Sequence, residues 1–122
     1  MSEFTFARFV LAVPNLAASK EFYTRVLGFE EEAIRAPGWA FLCRDAFHLM
    51  VGECPDAMPA ASLGDHGSFA HILVKDIRSL YEHVRGAGGV ILEELAAKPW
   101  GLTEFCLQTV DGHRIVFAEP TG

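Results

Sequence analysis

Two histidines stand inside otherwise apolar, strand-like runs: His48 in Phe47-His48-Leu49-Met50-Val51, and His71 in Phe69-Ala70-His71-Ile72-Leu73-Val74. Imidazole titrates near neutrality, so each is a candidate general acid–base or the source of an orienting hydrogen bond. A half-buried histidine bonded to a neighbour is the competing use, and spacing identifies no partner carboxylate for either. Arg8, in the first apolar run, carries a planar fork that matches a carboxylate or phosphate; a strand-edge arginine reaching solvent or pairing with an acid is its alternative. Trp39 and Trp100 occur in related contexts, Pro37-Gly38-Trp39 and Pro99-Trp100-Gly101. Indole walls suit planar or cationic ligands, and equally suit core packing or a subunit contact. Glu104, in Leu102-Thr103-Glu104-Phe105-Cys106, could serve as a base but reads as the solvent face of a hairpin. His66, His83 and His113 fall in a linker, a helix and a turn and read as surface residues, and Arg114 as a solvated strand end.

Composition narrows the classes. The three cysteines, Cys43, Cys54 and Cys106, are odd in number and widely spaced, which in a reducing compartment reads as apolar core filler. A formal charge of −6 with scattered basic residues excludes nucleic acid as a partner. The apolar runs are all short, so no membrane span is expected. Met1-Ser2-Glu3-Phe4 lacks the basic stretch and apolar run of a signal peptide, which predicts a cytoplasmic protein.

The elements that must position these residues repeat. Val13-Pro14-Asn15-Leu16 and Val74-Lys75-Asp76-Ile77 correspond at an offset of 61, as do Gly28 and Gly89. Each copy opens with a strand-like run, Phe6 to Val13 or Phe69 to Val74, followed by a capping residue, Asn15 or Asp76. Apolar residues at helical spacing follow, and each helix ends in glycine, Gly28 or Gly88-Gly89. Three strands are expected after each helix: Phe29–Arg35, Gly38–Arg44 and Ala46–Glu53, then Val90–Leu95, Leu102–Thr109 and His113–Glu119. Asp111-Gly112 predicts a type I′ hairpin with positive φ at both positions. The fold class is therefore α+β: one domain over 1–122 made of two βαβββ modules, about 4–53 and 68–119, joined by a linker at 54–67.

Both alternating faces are apolar in Phe9-Val10-Leu11-Ala12-Val13 and in the run around His48. One face must meet the helices, and the other lines an interior surface: a ligand cup, a second sheet or a subunit contact. The chain resembles the vicinal oxygen chelate superfamily, which groups glyoxalase I, extradiol dioxygenases and the bleomycin and fosfomycin resistance proteins. The residues carrying the resemblance are Val13-Pro14-Asn15-Leu16, Phe22-Tyr23-Thr24-Arg25-Val26-Leu27-Gly28-Phe29, Gly86-Ala87-Gly88-Gly89 and Asp111-Gly112-His113-Arg114-Ile115. Val110 replaces the proline often found before that Asp-Gly. The resemblance implies a cupped mixed sheet with helices on its outer face, commonly completed in a dimer.

It also implies four metal-ligand positions, on the first and last strand of each module. Carried over, they fall on Arg8, His48, Phe69 and Val116, of which only His48 can ligate an ion. His71, two residues past Phe69 on the same face, lies roughly 6.6 Å further along the strand, against a metal–nitrogen bond of about 2.1 Å. Glu119, three residues past Val116, points to the opposite face. The expectation is thus a protein with neither metal nor other cofactor. It resembles the bleomycin-resistance type and forms a homodimer that binds a small organic ligand, cationic or aromatic, through Arg8, His48, His71, Trp39 and Trp100. A glyoxalase-like lyase or isomerase, with a rearranged metal site or metal-free catalysis by His48 or His71, is the first alternative. A structural or interaction module is the second.

Overall fold

The computed structural model describes residues 1–64 and 67–122, so the surface position expected of His66 lies outside the described residues. Its order is β1 (Phe9–Val13), α1 (Leu16–Arg25), β2 (Glu30–Glu31), β3 (Trp39–Arg44) and β4 (Phe47–Glu53), followed by a short 3-10 turn at Ala60–Leu63. The second half repeats the pattern as β5 (Ser68–Leu73), α2 (Ile77–Gly86), β6 (Val90–Ala97), β7 (Leu102–Gln108) and β8 (Arg114–Pro120). Two four-stranded mixed sheets result, ordered β1-β4-β3-β2 and β5-β8-β7-β6. In each, the first strand runs parallel to the last and the other pairs are antiparallel.

Local chemistry explains both helix starts. The Asn15 side chain accepts from Ala18 N at 2.9 Å and that of Asp76 from Ser79 N at 3.4 Å. A second carboxylate reinforces each: Glu53 accepts from Leu16 N at 2.9 Å, and Glu119 accepts from Asp76 N and Ile77 N, both at 3.0 Å. The last strand of each module thereby holds the first turn of its own helix, satisfying amides that would otherwise lack a partner. Glu119 points away from the Val116 face, as strand alternation requires. The two backbone donors hold its carboxyl below the ordinary glutamate pKa.

Each helix covers one sheet face. Leu42, Leu49 and Val51 are fully buried in the first sheet, as are Leu107 and Ile115 in the second, with Tyr23 and Val84 from the helices. Burial of each aliphatic side chain contributes about 1.5–3 kcal/mol. The modules meet at an aromatic cluster, in which Phe69 lies 5.8 Å from Phe9, 6.4 Å from Phe47 and 5.7 Å from His113. Ser19 Oγ also donates to Asp111 Oδ2 at 2.9 Å, and an Arg25 guanidinium nitrogen to the carbonyl of Ala87 at 3.0 Å.

Several local expectations need correction. The first strand starts at Phe9, so Arg8 precedes it, and the strand expected over Phe29–Arg35 shrinks to Glu30–Glu31. Asp111-Gly112 is not a type I′ turn: Gly112 alone has positive φ, +89°, and its amide donates to Thr109 O at 2.9 Å. His113 is half-buried rather than a surface residue, with Nδ1 enclosed and unpartnered, and burial lowers its pKa. Cys54 is exposed and so is not core filler, whereas Cys106 is buried.

Candidate functional site

The face opposite α1 carries the first polar group. Strand alternation and register place Val10, Phe41, Cys43, His48, Met50 and Gly52 together there, with Trp39 at its end. Arg8 lies beside them, its guanidinium carbon 4.8 Å from the Phe6 ring centroid and 5.2 Å from that of Phe41. One of its nitrogens donates to Glu32 Oε1 at 3.4 Å. The other oxygen of Glu32, Oε2, stands 4.0 Å from Nδ1 of His48, too far for a hydrogen bond. Both of those atoms are buried and unpartnered. The edge of the group is apolar, with Phe6 packed against the His48 ring at 4.7 Å.

Cys43 faces His48 across the β3–β4 ladder, and its thiol is pushed up by burial, then by Glu32 and Glu30, while Arg8 opposes them. Trp39 pairs with Gly52, and its indole covers that glycine so closely that an added Cβ would lie 2.8 Å from the ring. Any larger residue there would have to displace the indole.

The second polar group sits on the face of sheet two opposite α2. His71 pairs with Val116, which pairs with Cys106, while Glu104 pairs with Ala118 on the same face. His71 Nε2 lies 3.0 Å from Glu104 Oε2, and the same oxygen accepts from Trp100 Nε1 at 3.1 Å. Glu104 is 8% exposed, so it is a buried carboxylate and not the solvent face of a hairpin. A cavity of about 20 Å³ beside it, lined by Glu93, Lys98, Cys106 and Val116, has room for a single water.

The expected residues therefore divide. Arg8 and His48 meet through Glu32, with Trp39 further along that face; His71 and Trp100 meet through Glu104. Among the described residues no hydrogen bond or ion pair joins the two groups. A cleft of about 970 Å³ runs between the free edge of β5, α2 and the β3–β4 turn; it takes in His71 but not Arg8, Trp39, His48 or Trp100.

The four positions implied for a metal do not make a ligand set. Arg8 is cationic and engaged with Glu32, Phe69 belongs to the aromatic cluster, and Val116 has no donor. Phe69 was expected to share a face with His71. A register shift between Ser68 and Ala70 breaks the alternation at Phe69, which joins the aromatic cluster while His71 meets Glu104. Sequence reasoning missed two carboxylates: Glu104 as the partner of His71, and Glu32 as the partner of Arg8 beside His48.

The family model of the glyoxalase/bleomycin resistance protein/dioxygenase superfamily matches residues 5–117. The chain belongs to that superfamily. Solved structures share its fold at low identity. A bleomycin-binding protein complexed with bleomycin is 22% identical over 95% of this chain and 98% of its own, with a TM-score of 0.77. TioX from Micromonospora sp. ML1 is 24% identical over 94% and 95%, with a TM-score of 0.72. A superfamily member from Alicyclobacillus acidocaldarius is 17% identical over 97% and 92%, with a TM-score of 0.79. At these identities the likeness establishes the fold. No curated protein sequence matches the chain.

Proposed function

We propose that the chain acts as a single domain that binds a small organic molecule in a cup formed by the sheet faces turned away from the helices. The observation carrying this reading is the character of the first face. Val10 is 60% exposed and Trp39 39%, beside the partly enclosed Phe41 and Met50, with Arg8, Glu32 and His48 as polar handles. Apolar walls with a few placed polar groups are what a small-molecule site requires. Trp100, 63% exposed, and the His71–Glu104 pair give the second sheet a similar face. An acidic handle beside indoles favours a cationic or aromatic ligand. The bleomycin-binding relative supplies a natural first probe.

The cup, in this reading, is completed by a second copy of the chain. β1 and β5 each end a sheet, so each carries a row of backbone groups without a strand partner, beside apolar surface on the same sheet. No helix among the described residues is long and apolar enough to cross a membrane; we place the protein in the cytoplasm.

Thermal-shift screening with bleomycin and smaller cationic aromatics tests the binding reading, since a ligand of the folded state raises the midpoint. Sedimentation at several concentrations tests the dimer. A shift abolished by His48→Gln and Trp39→Ala is expected; a panel that leaves the midpoint unmoved counts against the cup, and a monomer at all concentrations against the second copy. The His71–Glu104 pair supports a second reading, a metal-free lyase or isomerase in which the carboxylate orients the imidazole. Turnover of a carbonyl substrate that vanishes in His71→Ala would favour it.

A further inference from the structure

We infer that Glu32, Cys43 and His48 form a binding site for a borderline divalent cation of the zinc class, distinct from the four metal positions of the superfamily. Only His48 is common to the two sets. Glu32 follows β2 and Cys43 lies in β3, strands that contribute none of those four positions.

Three observations carry this. One ligand atom from each residue lies within 4.8 Å of the others, the one such cluster among the described residues. Next, the facing atoms of the closest pair, Glu32 Oε2 and His48 Nδ1, are both buried and both without a hydrogen-bond partner. Two enclosed polar atoms 4.0 Å apart, neither with a hydrogen-bond partner, call for a bridging group between them. Tetrahedral coordination, with bonds of about 2.0–2.1 Å to oxygen and nitrogen, requires these atoms roughly 3.3 Å apart. The pair would close by well under one bond length to hold an ion. Finally, Glu32 has its other oxygen committed to Arg8 at 3.4 Å, which fixes the carboxylate and leaves Oε2 directed at the gap. An outer partner of this kind is what orients metal-binding carboxylates.

The donor set chooses the ion. Thiolate with imidazole excludes magnesium and calcium, which take oxygen, and suits zinc, cobalt or copper. Three protein ligands leave one tetrahedral position open, and all three residues are partly exposed on the face that would line the cup. A bound ion could therefore accept a donor atom from a ligand there. The inference does not depend on which organic molecule the cup takes.

The protein, stripped with chelator and titrated with cobalt(II), tests it. One ion per chain is expected, with a thiolate-to-cobalt charge-transfer band in the near ultraviolet that zinc displaces. Cys43→Ser should abolish the band. Glu32→Gln and His48→Gln should weaken binding by more than the roughly 10- to 100-fold cost of losing a supporting residue, with circular dichroism confirming the fold. Cys54→Ser, at an exposed cysteine outside the cluster, should change nothing. No band, or a band that survives Cys43→Ser, would overturn the site and leave a water as the bridge between the two enclosed atoms.

Discussion

His71 and Glu104 are 33 residues apart in sequence, yet the imidazole Nε2 and the carboxylate Oε2 lie 3.0 Å apart on the second sheet. The same oxygen holds the Trp100 indole at 3.1 Å, so one buried acid fixes two of the candidate ligand-binding side chains. Glu104→Ala should destabilise the fold by about 1.5–3 kcal/mol, the range for losing hydrogen bonds to a charged group. Glu104→Gln, which keeps an acceptor, should cost less. Urea unfolding measures both, and an alanine variant as stable as the parent would show that the acid anchors nothing.

Gly52 and Trp39 give a test of the first face. Because an added Cβ meets the indole at 2.8 Å, Gly52→Ala should push the ring aside. Trp39 is partly exposed and can move, so the stability cost should stay within about 1–3 kcal/mol. Ligand affinity should fall, and Trp39 fluorescence should shift. Unchanged affinity would remove Trp39 from the cup.

His113 should make stability pH-dependent. Burial lowers its folded pKa below the unfolded value, so the neutral ring is favoured in the native state. Its contribution is fully present above the unfolded pKa of about 6.5 and is lost as pH falls through the folded pKa. His113→Phe retains an aromatic ring against Phe69 and removes the enclosed Nδ1. The variant's melting temperature should depend less on pH between neutrality and pH 5; an identical dependence would place the titration elsewhere.

Glu119 acts in the same direction at lower pH. Its folded pKa is depressed by the amides of Ile77 and Asp76, so its stabilisation is present above the unfolded carboxylate pKa and disappears as pH falls through the folded one. Glu119→Gln should lower the melting temperature at neutral pH and match the parent in strong acid. Helical content followed by circular dichroism provides the check.

The α+β class, the doubled βαβββ order and both helix caps were legible because they rest on short-range signals: apolar periodicity, Asn15 and Asp76 at the entrances, and Gly28 and Gly88 at the exits. The left-handed φ of those glycines, +69° and +87°, agrees with that reading. What could not be read depends on contacts distant in sequence or on single-residue shifts. Glu32 meets Arg8 across 24 residues and Glu104 meets His71 across 33, with no periodic spacing to announce either. The irregularity between Ser68 and Ala70 adds no unusual residue, yet it separates Phe69 from His71 and undoes an argument built on two-residue alternation. His113 read as surface because it follows a turn, while tertiary packing on Phe69 half-buries it.

The sequence contains only two tryptophans, Trp39 and Trp100, one on each candidate polar face. Their indole N–H signals in a ¹⁵N correlation spectrum, followed while a stabilising compound is titrated to saturation, test the cup directly. Binding there should move the Trp39 signal together with the amides of Phe41, His48 and Met50, and leave the outward faces of both helices unperturbed. Saturable binding that shifts helix amides or the β5 cleft while both indole signals stay fixed would contradict a ligand site on these sheet faces.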